Sequence, residues 1–329
     1  MNPAFSVILL TTLIGAGQGL FLALVTVQIY GVAGLLPPAQ GVGLYVGGSA
    51  VTLVLLAAGL VSSFFHLGRP ERAWRTATMW RTSWLSREVI VLPAFMGTVT
   101  LYGLLHLAGW SPVLMTSARG VSLDLSLAVG VVGTVLAFAL FVCTAMIYAC
   151  VRFLAEWHTP LTPLNYTLLG GASGFTLAAA LAAQAEAQRV DFLAGWALVL
   201  TALAAAGRMA SLVRNARLKP RSTIQSAIGV KHPRVVQRSM GFMGGSFNTR
   251  EFFHGASPGW LRAVKPLFLV LAFAVPLVLL WLARAQAAEG VGALLAAAFA
   301  IQYLGLLAER WFFFAQARHP QNLYYQAVS

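Results

Sequence analysis

Short polar segments divide the chain into long apolar stretches, and this pattern limits its fold more than any other feature. A helix that crosses the hydrocarbon core of a membrane needs about 20 mostly apolar residues. Eight stretches meet this requirement: residues 4–30, 42–65, 88–109, 123–151, 164–187, 191–212, 265–285 and 290–314. Charged residues make up 9% of the chain, whereas soluble domains carry about 25%. The sequence therefore predicts an all-α, polytopic membrane protein, with eight transmembrane helices bundled into a single membrane domain over residues 1–329.

Basic residues are concentrated on one face of the predicted bundle. The chain has 22 Lys and Arg residues and a net charge of +13. Eight crossings place both termini on one face with the second, fourth and sixth connections, and all but three basic residues fall there. The exceptions are Arg119, Arg189 and Arg284. Because cytoplasmic loops are enriched in Lys and Arg, we expect both termini in the cytoplasm, insertion in the cell inner (cytoplasmic) membrane, and no nucleic-acid partner.

The connection between the sixth and seventh spans, residues 208–265, is the longest and most basic of these loops. Connections of this length between packed helices are rarely structureless. Its run GFMGGSFNTREFFHG at 241–255 contains glycines typical of turns and a segment suited to a short helix. We therefore expect a partly structured, basic cytoplasmic surface that binds anionic membrane lipid or docks a soluble partner.

Small residues recur at a spacing that favours close contact between membrane helices. Two glycines four residues apart lie on one helix face and let a neighbouring backbone approach. Three such pairs are present: Gly15 with Gly19, Gly43 with Gly47, and Gly170 with Gly174. The pattern predicts tight helix crossings at these three places.

The ligand inventory argues against a metal centre in this chain. Cys143 and Cys150 share one apolar stretch, whereas an iron–sulfur cluster normally takes four thiolates. A haem needs axial ligands at matching depth, and His66 has only His158 or His319 near its own surface. The sequence therefore predicts no haem, no iron–sulfur cluster and no other metal site.

The segment SSFFHLGRPERAWRTATMWRTSWLSRE at 62–88 combines ionisable and aromatic residues at a membrane boundary. His66 ends the second predicted span and Glu88 begins the third, so both are expected at similar depth near the cytoplasmic surface. A single such residue would usually extend to the interface or form an ion pair. A His and a Glu flanking one short hairpin instead suggest a pair that handles protons.

This set suits quinone chemistry, because quinone reduction moves two electrons and two protons. His66 is the candidate hydrogen-bond and proton partner of the quinone oxygen, and Glu88 the candidate proton relay. The aromatic and basic neighbours predicted to complete the pocket are Phe65, Arg69, Arg72, Trp84 and Arg87. Arg69 and Arg72 are also placed to orient the hairpin or to contact a partner protein.

Three motifs resemble a known family. The runs FHLGRPERAW…SWLSRE, CTAMIYACVRFLAEWHTPLTPLNY at 143–166 and MGFMGGSFNTREFFHG at 240–255 are similar to the dimethyl sulfoxide reductase membrane-anchor family (DmsC-type). The similarity extends over nearly the whole chain. Within the family, the cytoplasmic orientation and the NTREFFHG region most resemble the anchor of a membrane-bound sulfite:quinone oxidoreductase (SoeC-type).

The resemblance implies a three-subunit complex. Its partners would be a molybdopterin catalytic subunit and a four-cluster iron–sulfur protein on the cytoplasmic side, and its own ligand would be ubiquinone or menaquinone. It also implies an anchor without haem, with the quinone-binding His and Glu of the family falling on His66 and Glu88. Electrons would pass from a partner cluster to quinone, with sulfite oxidised to sulfate on the partner.

Two alternatives remain at this stage. The first is an anchor that works in reverse and oxidises quinol for a dimethyl sulfoxide-type reductase. The second is a transporter or ion-conducting subunit. Transporters often contain internal repeats and charges at mid-membrane, whereas this sequence displays no evident repeat, and its ionisable residues gather near the predicted span ends, with Arg208 and Glu309 the least certain.

Overall fold

The computed structural model describes residues 1–37, 41–116, 122–220, 222–236, 238–239, 247–285 and 290–325, except the side chain of residue 248. The predicted glycine turns at 241–245 lie outside this set, as do Arg119 and Arg221.

Within the described residues the protein is a bundle of long helices, and the prediction of eight membrane-spanning helices is confirmed. The first six are α1 Phe5–Val32, α2 Gly43–Phe64, α3 Trp84–Ala108, α4 Leu125–Ala149, α5 Leu161–Ala185 and α6 Val190–Ala216. The seventh comprises α9 Pro258–Leu269 and α10 Val275–Ala285, and the eighth is α11 Val291–Ala315. A small antiparallel hairpin, β1 Val113–Thr116 and β2 Ser122–Asp124, joins α3 to α4 and was not predicted.

The start of α3 differs from the prediction by one turn. The Ser83 side chain accepts a hydrogen bond from the Ser86 amide at 3.3 Å and caps the helix. An N-cap of this kind satisfies one of the amides that the first turn leaves without a partner. The helix therefore begins at Trp84 rather than at Glu88, and Glu88 lies inside it.

The sixth span is also longer than predicted. Helix α6 continues to Ala216, so Arg208 belongs to the helix and not to the connection. Its buried guanidinium pairs with Glu309 on α11, which allows a charged residue to remain inside the bundle. The connection runs over 217–257, and its described residues include two short helices, α7 Ile224–Ile228 and α8 Phe247–Glu251.

The seventh span contains a widened π-helical turn, Val270–Ala274, between α9 and α10. Pro276 lacks the amide hydrogen that would bond to the carbonyl of Ala272, and such a gap loosens the regular helical ladder. The backbone of this turn lies directly against Gly305 of α11, where any added Cβ would collide with Ala272.

The helices form two rings of four. In the first ring α1 contacts α2, α2 contacts α3, α3 contacts α4, and α4 returns to α1. In the second ring α5 contacts α6, α6 contacts α10, α10 contacts α11, and α11 returns to α5. The rings meet chiefly through α1 and α5, the two most buried spans.

Two of the three predicted glycine pairs form this central crossing. A Cβ on Gly19 would overlap the carbonyl of Gly170, and one on Gly174 would overlap the backbone of Gly19. The prediction is wrong for the third pair, because a Cβ on Gly47 would meet no atom within 4 Å. Helix α2 instead approaches α1 through Gly48 and Gly59, which face Leu24 and Ile14.

Residues 1–4 and 316–325, and the described parts of the connections 65–83, 150–160 and 217–257, lie on one side of the bundle. We call this side the basic face. The described parts of the connections 33–42 and 109–124, together with residues 186–189 and 290, lie on the opposite face.

Candidate functional site

Glu88 is buried in the bundle, with 7% of its surface exposed. Its Oε1 accepts a hydrogen bond from Thr144 Oγ1 on α4. A carboxyl group in a membrane interior is costly unless its oxygens have partners. Glu88 lies in the second turn of α3, and its side chain faces the inside of the bundle rather than lipid or solvent.

Glu88 faces a small cavity at the junction of five helices, with room for an ordered water molecule. We call it the Glu88 cavity. Its other polar side chains are Thr11, Thr12 and Gln18 of α1, Thr144 of α4, Tyr166 and Ser173 of α5, and Arg310 of α11. Its apolar walls are Ile14, Phe141, Leu169 and Leu306, with Gly15 and Gly170 between them. The cavity thus combines an apolar wall with a few convergent polar groups, which is the usual composition of a small-molecule site.

Arg310 brings a positive charge to the Glu88 cavity. Its side chain is 4% exposed, and its guanidinium carbon lies 3.7 Å from the centroid of the Tyr166 ring. A desolvated guanidinium over an aromatic ring gains a cation–π attraction and still presents several hydrogen-bond donors. The cavity therefore offers a carboxyl, a guanidinium, a phenol and hydroxyl groups, which are suited to binding quinone oxygens and exchanging protons with them.

His66 lies on the basic face, just beyond the end of α2. Its side chain is exposed, although partial burial lowers the pKa of His66 below its ordinary value of 6.5. The neighbouring Phe65 is 82% exposed. Neither residue is among the described residues that line the Glu88 cavity.

Arg69 and Arg72 are exposed in the hairpin between α2 and α3. Arg69 precedes a 3-10 segment, Pro70–Met79, and Arg72 lies within it. The Nε atom of Arg72 is 3.8 Å from Glu71, but both side chains are at least half exposed. Such a pair contributes little to stability, so both arginines remain accessible to another molecule.

Arg87 secures the hairpin to α3. Its guanidinium donates hydrogen bonds to the carbonyls of Trp80 at 2.9 Å and Arg81 at 2.8 Å. The guanidinium carbon also lies 4.2 Å from the centroid of the Trp84 ring. These contacts give Arg87 and Trp84 a positioning role at the membrane boundary, beside the turn of α3 that carries Glu88.

The predicted site residues therefore fall into two groups. Glu88 lies in the interior cavity, whereas Phe65, His66, Arg69 and Arg72 lie on the surface of the basic face. Arg87 and Trp84 lie half-buried between them.

Sequence reasoning missed the residues that surround Glu88, above all Thr144, Tyr166 and Arg310. Arg310 was counted with the basic residues near the C-terminal end of the chain, whereas the structure buries it within α11. The signal in the sequence was the pair Glu309 and Arg310 inside an otherwise apolar stretch, because ionisable residues within a span usually mark a functional site.

Comparison with known proteins agrees with this architecture. The family model described as DMSO reductase anchor subunit (DmsC) matches residues 1–315. The chain is also similar to a sulfite dehydrogenase subunit of Allochromatium vinosum, with 57% identity over 329 residues that cover all of both chains.

Proposed function

The chain belongs to the DMSO reductase anchor subunit (DmsC) family, and from this premise we propose that it transfers electrons to membrane quinone. The electrons would come from an iron–sulfur cluster of a partner subunit, and a second partner would carry the molybdopterin centre. The proposed overall reaction is sulfite oxidation to sulfate. The similarity to a protein named as a sulfite dehydrogenase subunit supports this substrate, and it favours quinone reduction over the reverse reaction.

The observation that carries the quinone proposal is the buried carboxyl of Glu88 in a mixed polar and apolar cavity. Quinone oxygens need hydrogen-bond donors while oxidised and a proton source when reduced. Glu88, held by Thr144, supplies the exchangeable proton, and Arg310 and Tyr166 supply donors. The quinone ring would enter here once the apolar walls, among them Phe141 and Leu169, move apart to admit it.

The reaction divides into two half-reactions, one on the partner subunit and one in this chain. On the partner, sulfite and water give sulfate, two protons and two electrons. In this chain, quinone takes up two electrons and two protons to become quinol. Glu88 gives a proton to a quinone oxygen and is then reprotonated.

The basic face is the proposed docking side for the iron–sulfur partner. Arg69 and Arg72 project from its hairpin, and His66 lies at the base of that hairpin. With the face in the cytoplasm, as the Lys and Arg distribution favours, the partners would also be cytoplasmic. His66 would then act at the junction between the partner and the quinone site.

The test is a comparison of two activities of the intact complex. Sulfite oxidation with quinone as acceptor requires the anchor, whereas oxidation with ferricyanide takes electrons from the soluble subunits. We expect Glu88→Gln to lower the quinone-coupled rate on the order of 100-fold, the usual effect of losing a general acid. The ferricyanide-coupled rate should remain unchanged.

The matched control is Asp191→Asn, which removes an exposed carboxylate on the opposite face and should affect neither rate. His66→Ala, in an assembled complex, tests the second predicted residue in the same way. An unchanged quinone-coupled rate in Glu88→Gln would remove Glu88 from the mechanism, and the same result in His66→Ala would remove His66.

Purification separates this proposal from the transporter alternative. We expect the tagged chain to purify with molybdopterin and iron–sulfur subunits. Isolation of the chain alone, together with solute flux in vesicles, would contradict the proposal.

A further inference from the structure

Three ionisable side chains beyond Glu88 are buried between α6 and α11. Arg208 Nε lies 2.7 Å from Glu309 Oε1, and Arg310 Nε lies 3.8 Å from Glu309 Oε2. The exposed fractions are 2%, 2% and 4% for Arg208, Glu309 and Arg310. A buried ion pair adds little net stability, because desolvation offsets its attraction. Ionisable groups within spans instead tend to mark paths for ions and protons.

These side chains line a second small cavity, with room for about one water molecule, which we call the Glu309 cavity. Its lining residues are Glu156, Thr162, Asn165, Tyr166, Arg208, Ser211, Asn215, Glu309, Arg310 and Phe313. Glu156 is half-buried in the connection between α4 and α5, and Asn215 lies in the last turn of α6. Both positions belong to the basic face, so the cavity begins at that surface.

The two cavities share Tyr166 and Arg310. Polar side chains therefore follow one another from Glu156 at the basic face, past Glu309, to Glu88 in the interior. Hydroxyl and amide groups accompany this line, including Asn165, which donates a hydrogen bond to Ser211 Oγ at 2.7 Å.

Several buried polar atoms along this line are expected to hydrogen-bond to water. Within the part of the chain that the structure describes, no protein group hydrogen-bonds to Glu309 Oε2, Arg310 Nε or Asn165 Oδ1. Buried polar atoms are nearly always hydrogen-bonded, and ordered water fills that role where a polar cavity has room. The 3.8 Å separation of Glu309 Oε2 and Arg310 Nε suits hydrogen bonding through water.

We propose that the Glu309 cavity is a hydrated path along which protons travel from the basic face to Glu88. The inference rests on the proposed quinone site, which fixes the inner end of the path. Each quinone takes up two electrons from the reduced iron–sulfur partner and two protons from the solvent at the basic face. A proton enters at Glu156, passes through water and Glu309, and reaches Glu88 beside Tyr166 and Arg310.

Arg208 acts here as a positioning residue. It binds Oε1 of Glu309, which leaves Oε2 directed toward Arg310 and able to bond to water. The two guanidiniums also keep positive charge beside the carboxylate, so that an excess proton moves on through the path.

The test measures proton delivery in the intact complex with Glu156→Gln and Glu309→Gln. We expect each to lower the quinone-coupled kcat about 3- to 10-fold, with the quinone KM and the ferricyanide-coupled rate unchanged. A larger solvent deuterium isotope effect should accompany the loss, because proton delivery becomes rate-limiting. Formate, a small weak acid, should restore turnover in Glu156→Gln by carrying protons into the cavity.

The outcomes separate this inference from the proposed function. Asp191→Asn again serves as the control and should resemble the unaltered protein. If Glu88→Gln abolishes quinone reduction while Glu156→Gln and Glu309→Gln leave kcat and the isotope effect unchanged, the path is overturned and the quinone site stands. If the Glu309→Gln complex does not assemble, the Glu156→Gln variant alone tests the path, because the Glu156 side chain is only half-buried. Formate would restore turnover if proton delivery were lost, but it would not repair a structural defect.

Discussion

At the scale of single residues, two arginine–carboxylate pairs have the same spacing and opposite surroundings. Arg208 and Glu309 are 2.7 Å apart and each 2% exposed, whereas Arg284 and Asp191 are 2.7 Å apart and 42% and 70% exposed. Bulk water screens the exposed pair far more than it screens the buried pair. Pairs with the same separation are therefore expected to differ in how much the loss of one partner destabilises the protein.

Replacing the arginine of each pair should reveal this difference. Arg208→Met leaves a carboxylate buried without its nearest cation, at a cost of about 3–5 kcal/mol. Arg284→Met should cost at most about 1 kcal/mol. Thermal melting of the purified complex measures both, and equal shifts would contradict the assignment of Arg208 and Glu309 to a desolvated pair.

His66 gives a prediction on pH. Because burial lowers its pKa below 6.5, the folded protein favours the neutral ring. Protonation of His66 then opposes folding, so its contribution to stability weakens as pH falls below 6.5 through the folded pKa. Imidazole resonances of the labelled protein, assigned with His66→Asn, should give a midpoint below 6.5. A midpoint at or above this value would show that the ring is not desolvated.

At the scale of elements, the crossing of α1 and α5 depends on glycine. Gly19 and Gly174 allow two backbones to touch, and the crossing brings Gly15 and Gly170 to the wall of the Glu88 cavity. The same G-x-x-x-G spacing at Gly43 and Gly47 lies on an open helix face. The motif thus indicates where two helices could approach closely, and packing in the rest of the bundle determines which pairs of helices do so.

Alanine substitutions test the crossing. Gly174→Ala would place a methyl group inside the backbone of Gly19, and forced overpacking costs about 1–3 kcal/mol or more. Gly47→Ala is the matched control, since its methyl group would meet no atom within 4 Å. We expect a lower melting temperature for Gly174→Ala alone, together with reduced quinone-coupled turnover. Similar melting of the two variants would count against the crossing.

At the scale of the whole molecule, the two rings have the same arrangement of four helices. The sequence did not reveal this structural repeat. Each ring crosses the membrane four times, so α1 and α5 begin on the same face. Helix packing requires small residues at contact positions rather than repeated sequence, which explains why no repeat is evident along the chain. The Glu88 cavity lies where the rings meet and takes residues from both.

The distribution of Lys and Arg predicts the orientation of the bundle, and labelling can check this prediction. In a Cys150→Ser chain, Val236→Cys places a thiol on the basic face and Leu114→Cys one on the opposite face; both native side chains are more than half exposed. An impermeant maleimide applied to intact spheroplasts should label Leu114→Cys at once and Val236→Cys only after lysis. The reverse pattern would place the basic face outside and remove the cytoplasmic docking of the partners.

The sequence alone determined the number of spans, the helical class and the family. These properties depend on the length of each apolar stretch and on short motifs, and both can be read directly from the local sequence. It also singled out Glu88 and the hairpin from His66 to Arg87 as a candidate site, which stays a prediction. It began the third span at Glu88, where the apolar run starts, whereas the Ser83 cap starts α3 one turn earlier.

Only the tertiary structure decided what surrounds Glu88. Thr144, Tyr166 and Arg310 are distant from it and from one another in the chain, and they converge because glycine lets α1 and α5 cross tightly. Likewise, Arg208 and Glu309 look like separate span-end charges in the sequence and become one buried pair only when α6 and α11 pack together. A polar group in a membrane interior is tolerated where another helix brings it a partner, and that partner is set by packing between helices rather than by the local sequence of either one.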